Sequence, residues 1–371
     1  MEYRLARPED RARVIEFIDA VFSMSYRPHD FRALLPKVYG DGTAEIPHHI
    51  AVNEQGDIRG AVALLPELWR VLDADLWLGY VGSVSVHPRS QGEGHMRALM
   101  NMTLDAANKD SLDILVLDGQ RQRYGHYGFT PGGWKLTFEV NEKNLKHADN
   151  GGYTFLPMDR AEDCDIDFAR ALYFDQPAYM VRSLSGFVTI LKSWNSQPQL
   201  IMRDGALAGY LTAKGSAISE LCLYEPDVCG DVLKAWMAAN RFDEVTVAVG
   251  PCERALAEAL SAFAENWTLT ANRLIKVLHF AHVIEALLRL KAEELRELTD
   301  GEAAMWIDGQ PLTIRVKDND VTVEESAPND APRMTAMEAQ RMLFDPMATI
   351  LNAAPSDWFP LPFYIADPDA F

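Results

Sequence analysis

Val84-Ser85-Val86-His87-Pro88-Arg89-Ser90-Gln91-Gly92-Glu93-Gly94-His95-Met96-Arg97-Ala98-Leu99-Met100 is the stretch on which the fold of this chain is decided. Up to Val86 it reads as a strand, Pro88 and the glycines Gly92 and Gly94 read as a tight turn, and the residues beyond read as an amphipathic helix reaching about Asn108. A glycine turn that opens a helix gathers unpaired N–H groups and the positive helix end in one place, which suits a pyrophosphate. A dinucleotide fingerprint of the G-x-G-x-x-G kind does not fit, because this turn follows several antiparallel-looking strands instead of opening a βαβ unit.

Working outward, a strand at 3–6 precedes a helix marked by Val14, Phe17, Ile18, Val21 and Phe22, and a shorter helical stretch covers 31–38. Strand-like runs follow at 49–53, 59–72 and 76–86. After the turn and its helix come a buried-type strand at 113–117 ending at Asp118-Gly119, a short helix, and a strand at 134–140. Residues 151–279 repeat this theme, with helices near 161–173, 178–193, 228–240 and 252–263 and strands near 199–202, 207–213 and 244–249, plus one ending near Tyr224. The corresponding turn here, Glu225-Pro226-Asp227-Val228-Cys229-Gly230, sets two acids where a phosphate needs free donors, so this copy reads as non-catalytic. Residues 280–371 supply a helix at 282–298, strands at 303–308, 311–317 and 321–325 with a turn at Asp318-Asn319-Asp320, and a helix at 335–343. The tail Trp358-Phe359-Pro360-Leu361-Pro362-Phe363-Tyr364 is too aromatic for a free end and is expected to dock. The expectation is an α/β chain of three units, 1–150, 151–279 and 280–371.

A length of 371 residues at 48% hydrophobic and 24% charged composition suits a soluble globular chain of more than one core. With 54 acidic residues against 35 Lys plus Arg, the formal charge of -19 repels nucleic acid and anionic lipid and attracts cations such as amines. The first residues carry alternating charge without the apolar segment of a signal peptide, and the apolar run from Leu274 to Leu290 is interrupted by Lys276, His279, His282, Glu285 and Arg289. Cys164, Cys222, Cys229 and Cys252 form no CxxC pair, which fits buried thiols in a reducing cytoplasm, and the adjacent His48 and His49 lack the spacing of metal ligands.

In this context the turn resembles that of the GNAT N-acetyltransferase superfamily, whose acetyl-CoA turn is [Gln/Arg]-x-x-Gly-x-[Gly/Ala] after a Val-x-Pro strand end. Arg89-x-x-Gly92-x-Gly94 matches the letters; Gln91-x-x-Gly94-x-Met96 keeps the usual distances from Pro88 and to the helix, and is the preferred frame. The bulky Met96, the segment Tyr124-Gly125-His126-Tyr127-Gly128-Phe129 and the final Phe371 further resemble the enhanced-intracellular-survival (Eis) acetyltransferases. That resemblance is specific near 84–129 and at the terminus, and elsewhere rests on architecture. It implies a catalytic GNAT domain, a degenerate second copy, and a sterol-carrier-protein-like domain whose tail enters the active site. It also implies acetyl-CoA as cosubstrate with no metal, a closed homo-oligomer, and a small polycationic amine such as an aminoglycoside as acceptor.

Acetyl transfer to nitrogen needs a neutral amine, a polarised thioester carbonyl and a proton for the departing thiolate. Backbone N–H groups near Val84 and Val86 are expected to bind the pantetheine arm and the carbonyl oxygen, and those of Gln91, Gly92, Glu93, Gly94, His95 and Met96 the pyrophosphate, with Gly119 at the neighbouring strand end. By resemblance, Tyr124 is the general acid and the main-chain carboxylate of Phe371 the base. A terminal carboxyl titrates at about 3.3 to 3.7 in water, so an aromatic tail that desolvates it would make it a better base. His87 and His126 stay open as alternative bases, while Tyr127 and Phe129 read as core. Two other functions stay open as well: acetylation of protein lysines or N-termini, and carriage of a hydrophobic ligand by residues 280–371.

Overall fold

A computed structural model describes residues 1–25, 28–149, 151–347 and 357–371. The chain begins with β1 (Glu2–Leu5), α1 (Arg11–Ser25), α2 (Phe31–Leu34) and α3 (Pro36–Tyr39). The single helix expected over 31–38 is two, because Pro36 disfavours helical geometry at Leu35, whose φ of -128° breaks the run. Next come β2 (His48–Val52), β3 (Ile58–Val71), β4 (Ala74–Val86), α4 (His95–Lys109), β5 (Ile114–Leu117), α5 (Arg121–Tyr124) and β6 (Thr130–Asn141).

The second stretch supplies β7 (Tyr153–Pro157), α6 (Asp163–Phe174), β8 (Ala178–Met180), α7 (Phe187–Leu191), β9 (Gln197–Arg203), β10 (Ala206–Lys214) and β11 (Ala217–Leu223). It continues with α8 (Cys229–Asn240), β12 (Glu244–Val249), α9 (Arg254–Ser261) and β13 (Asn266–Val277). The helix expected over 178–193 is largely absent. Its first residues pair with the end of β3, Met180 opposite Trp69, and only Phe187–Leu191 is α-helical. A sheet edge here overrides local helical spacing.

These strands make one 13-stranded sheet in the order β1-β2-β3-β4-β5-β13-β6-β12-β11-β10-β9-β7, with β8 on β3. It is a mixed α/β arrangement in which β13, a strand that the sequence reading did not anticipate, lies between β5 and β6. Strand β6 then continues directly to β12, so the sheet passes from the first stretch into the second without a break. The rest of the chain, α10 (Phe280–Glu294), β14 (Gly301–Ile307), β15 (Gln310–Lys317), β16 (Asp320–Glu324), β17 (Arg333–Met334) and α11 (Ala336–Phe344), builds a separate sheet ordered β16-β15-β14-β17.

Two features of the large sheet position the site. Strands β4 and β5 run parallel, but their register covers only Leu78–Tyr80 against Ile114–Val116, after which they part. On its other side β4 is bulged: Ala61 faces Ser85 and Ala63 faces Gly82, leaving Ser83, at a left-handed φ of 49°, and Val84 against a single residue.

In the last described segment, 357–371, Trp358, Phe359, Leu361, Phe363, Ile365, Ala370 and Phe371 are all buried, as expected of a docking tail. Glycines make the room: a Cβ at Gly82 would lie 2.3 Å from the Phe371 ring, one at Gly133 2.2 Å from the Phe363 carbonyl oxygen, and one at Gly250 2.4 Å from the Tyr364 ring.

Candidate active site

The bulge and the parting of β4 from β5 leave the last turns of β4 without a strand on one side. His87 N–H donates to the Arg59 carbonyl at 2.9 Å, which by the alternation of an antiparallel ladder turns the N–H of Val86 toward the open side; Val84 lies in the bulge itself. Two cavities meet here, of about 350 and about 550 Å³, and Val84, Ser85, Val86, Gln91 and Arg123 line both.

The larger cavity lies over the turn. Gly92 and Gly94 adopt φ of +85° and +83°, and Gly94 caps α4 without any side-chain acceptor, so among the described residues the N–H groups of its first turn have no side-chain cap. Nothing stands within 4 Å of a Cβ built at Gly92, and at Gly94 only an Arg97 guanidinium nitrogen at 3.9 Å. Open backbone donors at a helix start, beside Arg97 and Arg123 in the lining, fit a polyphosphate within a chain that is otherwise acidic. Gln91 lines both cavities, whereas Arg89 is not among the lining residues of either. His95 is buried, its ring held between the Tyr3 hydroxyl at 2.8 Å and the Glu93 carboxylate at 3.0 Å, so its side chain braces the turn while its backbone faces the helix start. Met96 packs toward the apolar cluster of Leu99, Met100 and Tyr124.

The smaller cavity holds the remaining predicted residues. Tyr124, at the end of α5, lines it beside Asp118 and Gly119, and Gly119 is a steric requirement, since a Cβ there would lie 2.3 Å from the Tyr124 ring. Phe371 lines the same cavity, its ring near Tyr39 and Tyr80 at centroid separations of 6.0 and 6.3 Å. The tail is fixed just upstream. Arg182 donates to both Asp369 oxygens at 2.9 and 2.8 Å and to both Glu220 oxygens at 2.9 and 2.6 Å, all buried, and its guanidinium stacks 3.9 Å over the Tyr173 ring. Arg273 donates to Asp367 at 2.7 Å and to the Ile365 carbonyl at 3.2 Å.

Of the two histidines considered as bases, His87 accepts from Arg89 N–H through Nδ1 and so stabilises the turn, and His126 is exposed and lines neither cavity. Phe129 is fully buried, while Tyr127 lines the larger cavity. Among the described residues no group of three or more His, Cys, Asp or Glu could hold a metal ion. The sequence reading missed Arg97, in the first turn of α4, and Arg123, directly before Tyr124, and it missed Phe22, Phe31 and Trp194 in the smaller cavity. Trp194 had no signal in the sequence. It reaches the cavity from the second stretch, and both it and Asn195 adopt left-handed φ, 61° and 63°.

The acetyltransferase (GNAT) domain family matches residues 2–132. Along the whole chain the fold is similar to that of Eis1 from Mycobacterium abscessus, at 12% identity, full coverage of both chains and a TM-score of 0.65. A GCN5-related N-acetyltransferase from Anabaena variabilis is similar at 14% identity, also with full coverage of both, and a TM-score of 0.69. A probable N-acyltransferase of unknown function from Enterococcus faecalis is similar at 12% identity and a TM-score of 0.69, with 96% of this chain and 93% of that one covered. No curated protein matches the sequence.

Proposed function

We propose that this chain is an N-acetyltransferase that moves acetyl from acetyl-CoA to the amine of a small molecule at the junction of the two cavities, residues 2–132 matching the acetyltransferase (GNAT) domain family. The observation that carries the reading is the shared lining at Val84–Val86: one cavity ends in donors suited to a pyrophosphate, the other in Tyr124, and the bulged strand end joins them. Acetyl-CoA supplies an acetyl group activated as a thioester; the C–N bond forms as the C–S bond breaks, one proton leaves nitrogen and one arrives at sulfur.

The residues divide this work. The backbone of Gln91, Gly92, Glu93, Gly94, His95 and Met96, with Arg97 and Arg123, holds the pyrophosphate. N–H groups at Val84 and Val86 orient the pantetheine arm and draw charge onto the carbonyl oxygen, the kind of preorganised donor that contributes most to acyl transfer. Gly119 lets the Tyr124 ring lie where its O–H donates to the departing sulfur. The main-chain carboxylate of Phe371 takes the amine proton, directly or through one water. The acceptor is an amine whose cationic form is drawn by the charge of -19; the Eis resemblance by itself suggests aminoglycosides, and the lining of the smaller cavity narrows the choice.

In this reading residues 151–279 are a second GNAT-like unit that has lost its phosphate turn, and residues 280–371 a sterol-carrier-like unit whose tail completes the site. The chain works in the cytoplasm as a homo-oligomer; none of the described helices is long and apolar enough to cross a membrane.

Gly94→Glu tests the cofactor site. The position is open, and the left-handed φ costs about 1–2 kcal/mol, so the variant should fold, but its carboxylate occupies the pyrophosphate position. Calorimetry should show acetyl-CoA binding abolished. Unchanged affinity in a folded variant would place the cofactor elsewhere.

A further inference from the structure

From the lining of the smaller cavity, and resting on the acetyltransferase reading above, we infer that the acceptor is a monoamine on an aromatic or branched apolar body, and that Trp194 is the residue that selects it. Five aromatic side chains, Phe22, Phe31, Tyr124, Trp194 and Phe371, line this cavity together with Val21 and Leu35. The charged side chains among the described lining residues are Asp118 and Arg123, and the Phe371 main-chain carboxylate, assigned above to the amine proton, joins them. Asp118 is already engaged, accepting from the Tyr80 hydroxyl and lying 3.4 Å from Arg273.

That inventory discriminates between amines. A first ammonium is accommodated by the aromatic faces and by the Phe371 carboxylate. With the Phe371 carboxylate given to the reacting nitrogen, a second or third ammonium finds only Asp118, already engaged by Tyr80 and Arg273, and meets Arg123, so a polycation would have to strip water from charges that the described lining leaves poorly paired. Size points the same way. About 350 Å³ lies near the bottom of the roughly 300–1,000 Å³ range of ligand sites, and part of it must take the thioester end. The net charge of -19 therefore concentrates cations around the molecule, while the cavity wall decides which of them reacts.

Trp194 stands out within the wall. It comes from the second stretch of the chain, packs against the cluster that contains Phe31 and Phe371, and holds a left-handed backbone that a bulky residue adopts only when its surroundings impose it. The second unit thus contributes one wall of the first unit's acceptor site.

The test compares kcat/KM of the full chain for phenethylamine, spermidine and kanamycin, in the parent and in Trp194→Ala and Trp194→Phe. Phenethylamine should exceed both polycations by at least about tenfold, Trp194→Ala should remove about that factor for phenethylamine alone, and Trp194→Phe should keep most of it. The KM for acetyl-CoA should not move in either variant. Preference for kanamycin or spermidine, or a Trp194→Ala loss shared equally by all three amines, overturns the inference and leaves the acetyltransferase reading standing. If acetyl-CoA binds but none of the amines is acetylated, the small-amine reading falls, and this inference with it.

Discussion

Tyr124 and Gly119 form a unit, because the ring occupies the space that any side chain at 119 would fill. Tyr124→Phe should lower kcat by about 10²- to 10⁴-fold, the usual cost of losing a positioned proton donor, with acetyl-CoA affinity and thermal unfolding little changed; near-normal turnover would remove the hydroxyl from the mechanism. Gly119→Ala should reproduce much of that loss with the hydroxyl still present, which separates ring placement from chemistry. At this scale the sequence is readable where the residues of the proposed site are contiguous. The glycines of the turn and the Tyr124 segment lie within one short stretch, and each has a backbone or steric reason visible in the structure. Trp194 and Phe22 were not legible, since a side chain reaching a cavity from a distant helix looks like any core aromatic until the fold brings it there.

The tail is where element-level reasoning succeeds by composition and fails in detail. Its aromatic character announced docking, but the receptors are spread over the chain: the notches at Gly82, Gly133 and Gly250, and the cations Arg182 and Arg273. Arg182→Met would leave Glu220 and Asp369 as buried carboxylates with no cation between them, a loss of about 3–5 kcal/mol. Scanning calorimetry should show a lowered transition, and turnover should fall with it as Phe371 loses its anchor two residues upstream. The backbone at the Gly250 notch is held by Glu253, whose carboxylate accepts from Gly250 N–H and whose pKa burial pushes up to about 7 from an ordinary 4.5. A carboxyl raised in the folded state keeps a proton that the unfolded chain releases, so its stabilising contribution is complete below about pH 4.5 and is lost as pH rises through 7. Glu253→Gln should therefore flatten the fall in stability between those limits and raise the melting temperature at neutral pH. Glu67, also pushed up to about 7 by burial, leaves part of the slope in place. Asp10, held down to about 2 by Arg4, has the opposite sign, stabilising above the ordinary carboxylate range and failing only in strong acid.

For the whole molecule, the decisive fact is the position of β13. A strand from residues 266–277 separates β5 from β6, pairing with Leu117 through Leu274 on one side and with Phe138 through Trp267 on the other. The sequence reading divided the chain near 150 and 279 because helix and strand patterns recur in order. It passed over β13 because its first half, Asn266-Trp267-Thr268-Leu269-Thr270-Ala271, alternates weakly and is exposed, while its second half merged with α10 into one apolar run. Pattern along the chain records which elements exist, and which strand lies between which is settled by pairing that no local window contains. The consequence is measurable. Residues 1–150 alone would lack the strand that links β5 to β6 and would expose two unpaired edges beside the proposed active site, a state prone to aggregation and without a complete core. Such a fragment should show no cooperative thermal transition and no acetyl-CoA binding. Co-expression with residues 151–371 should restore both, because β13, Trp194 and the tail would then be supplied in trans. A fragment 1–150 that melts cooperatively and binds acetyl-CoA unaided would show that β13 reinforces a sheet already able to close without it.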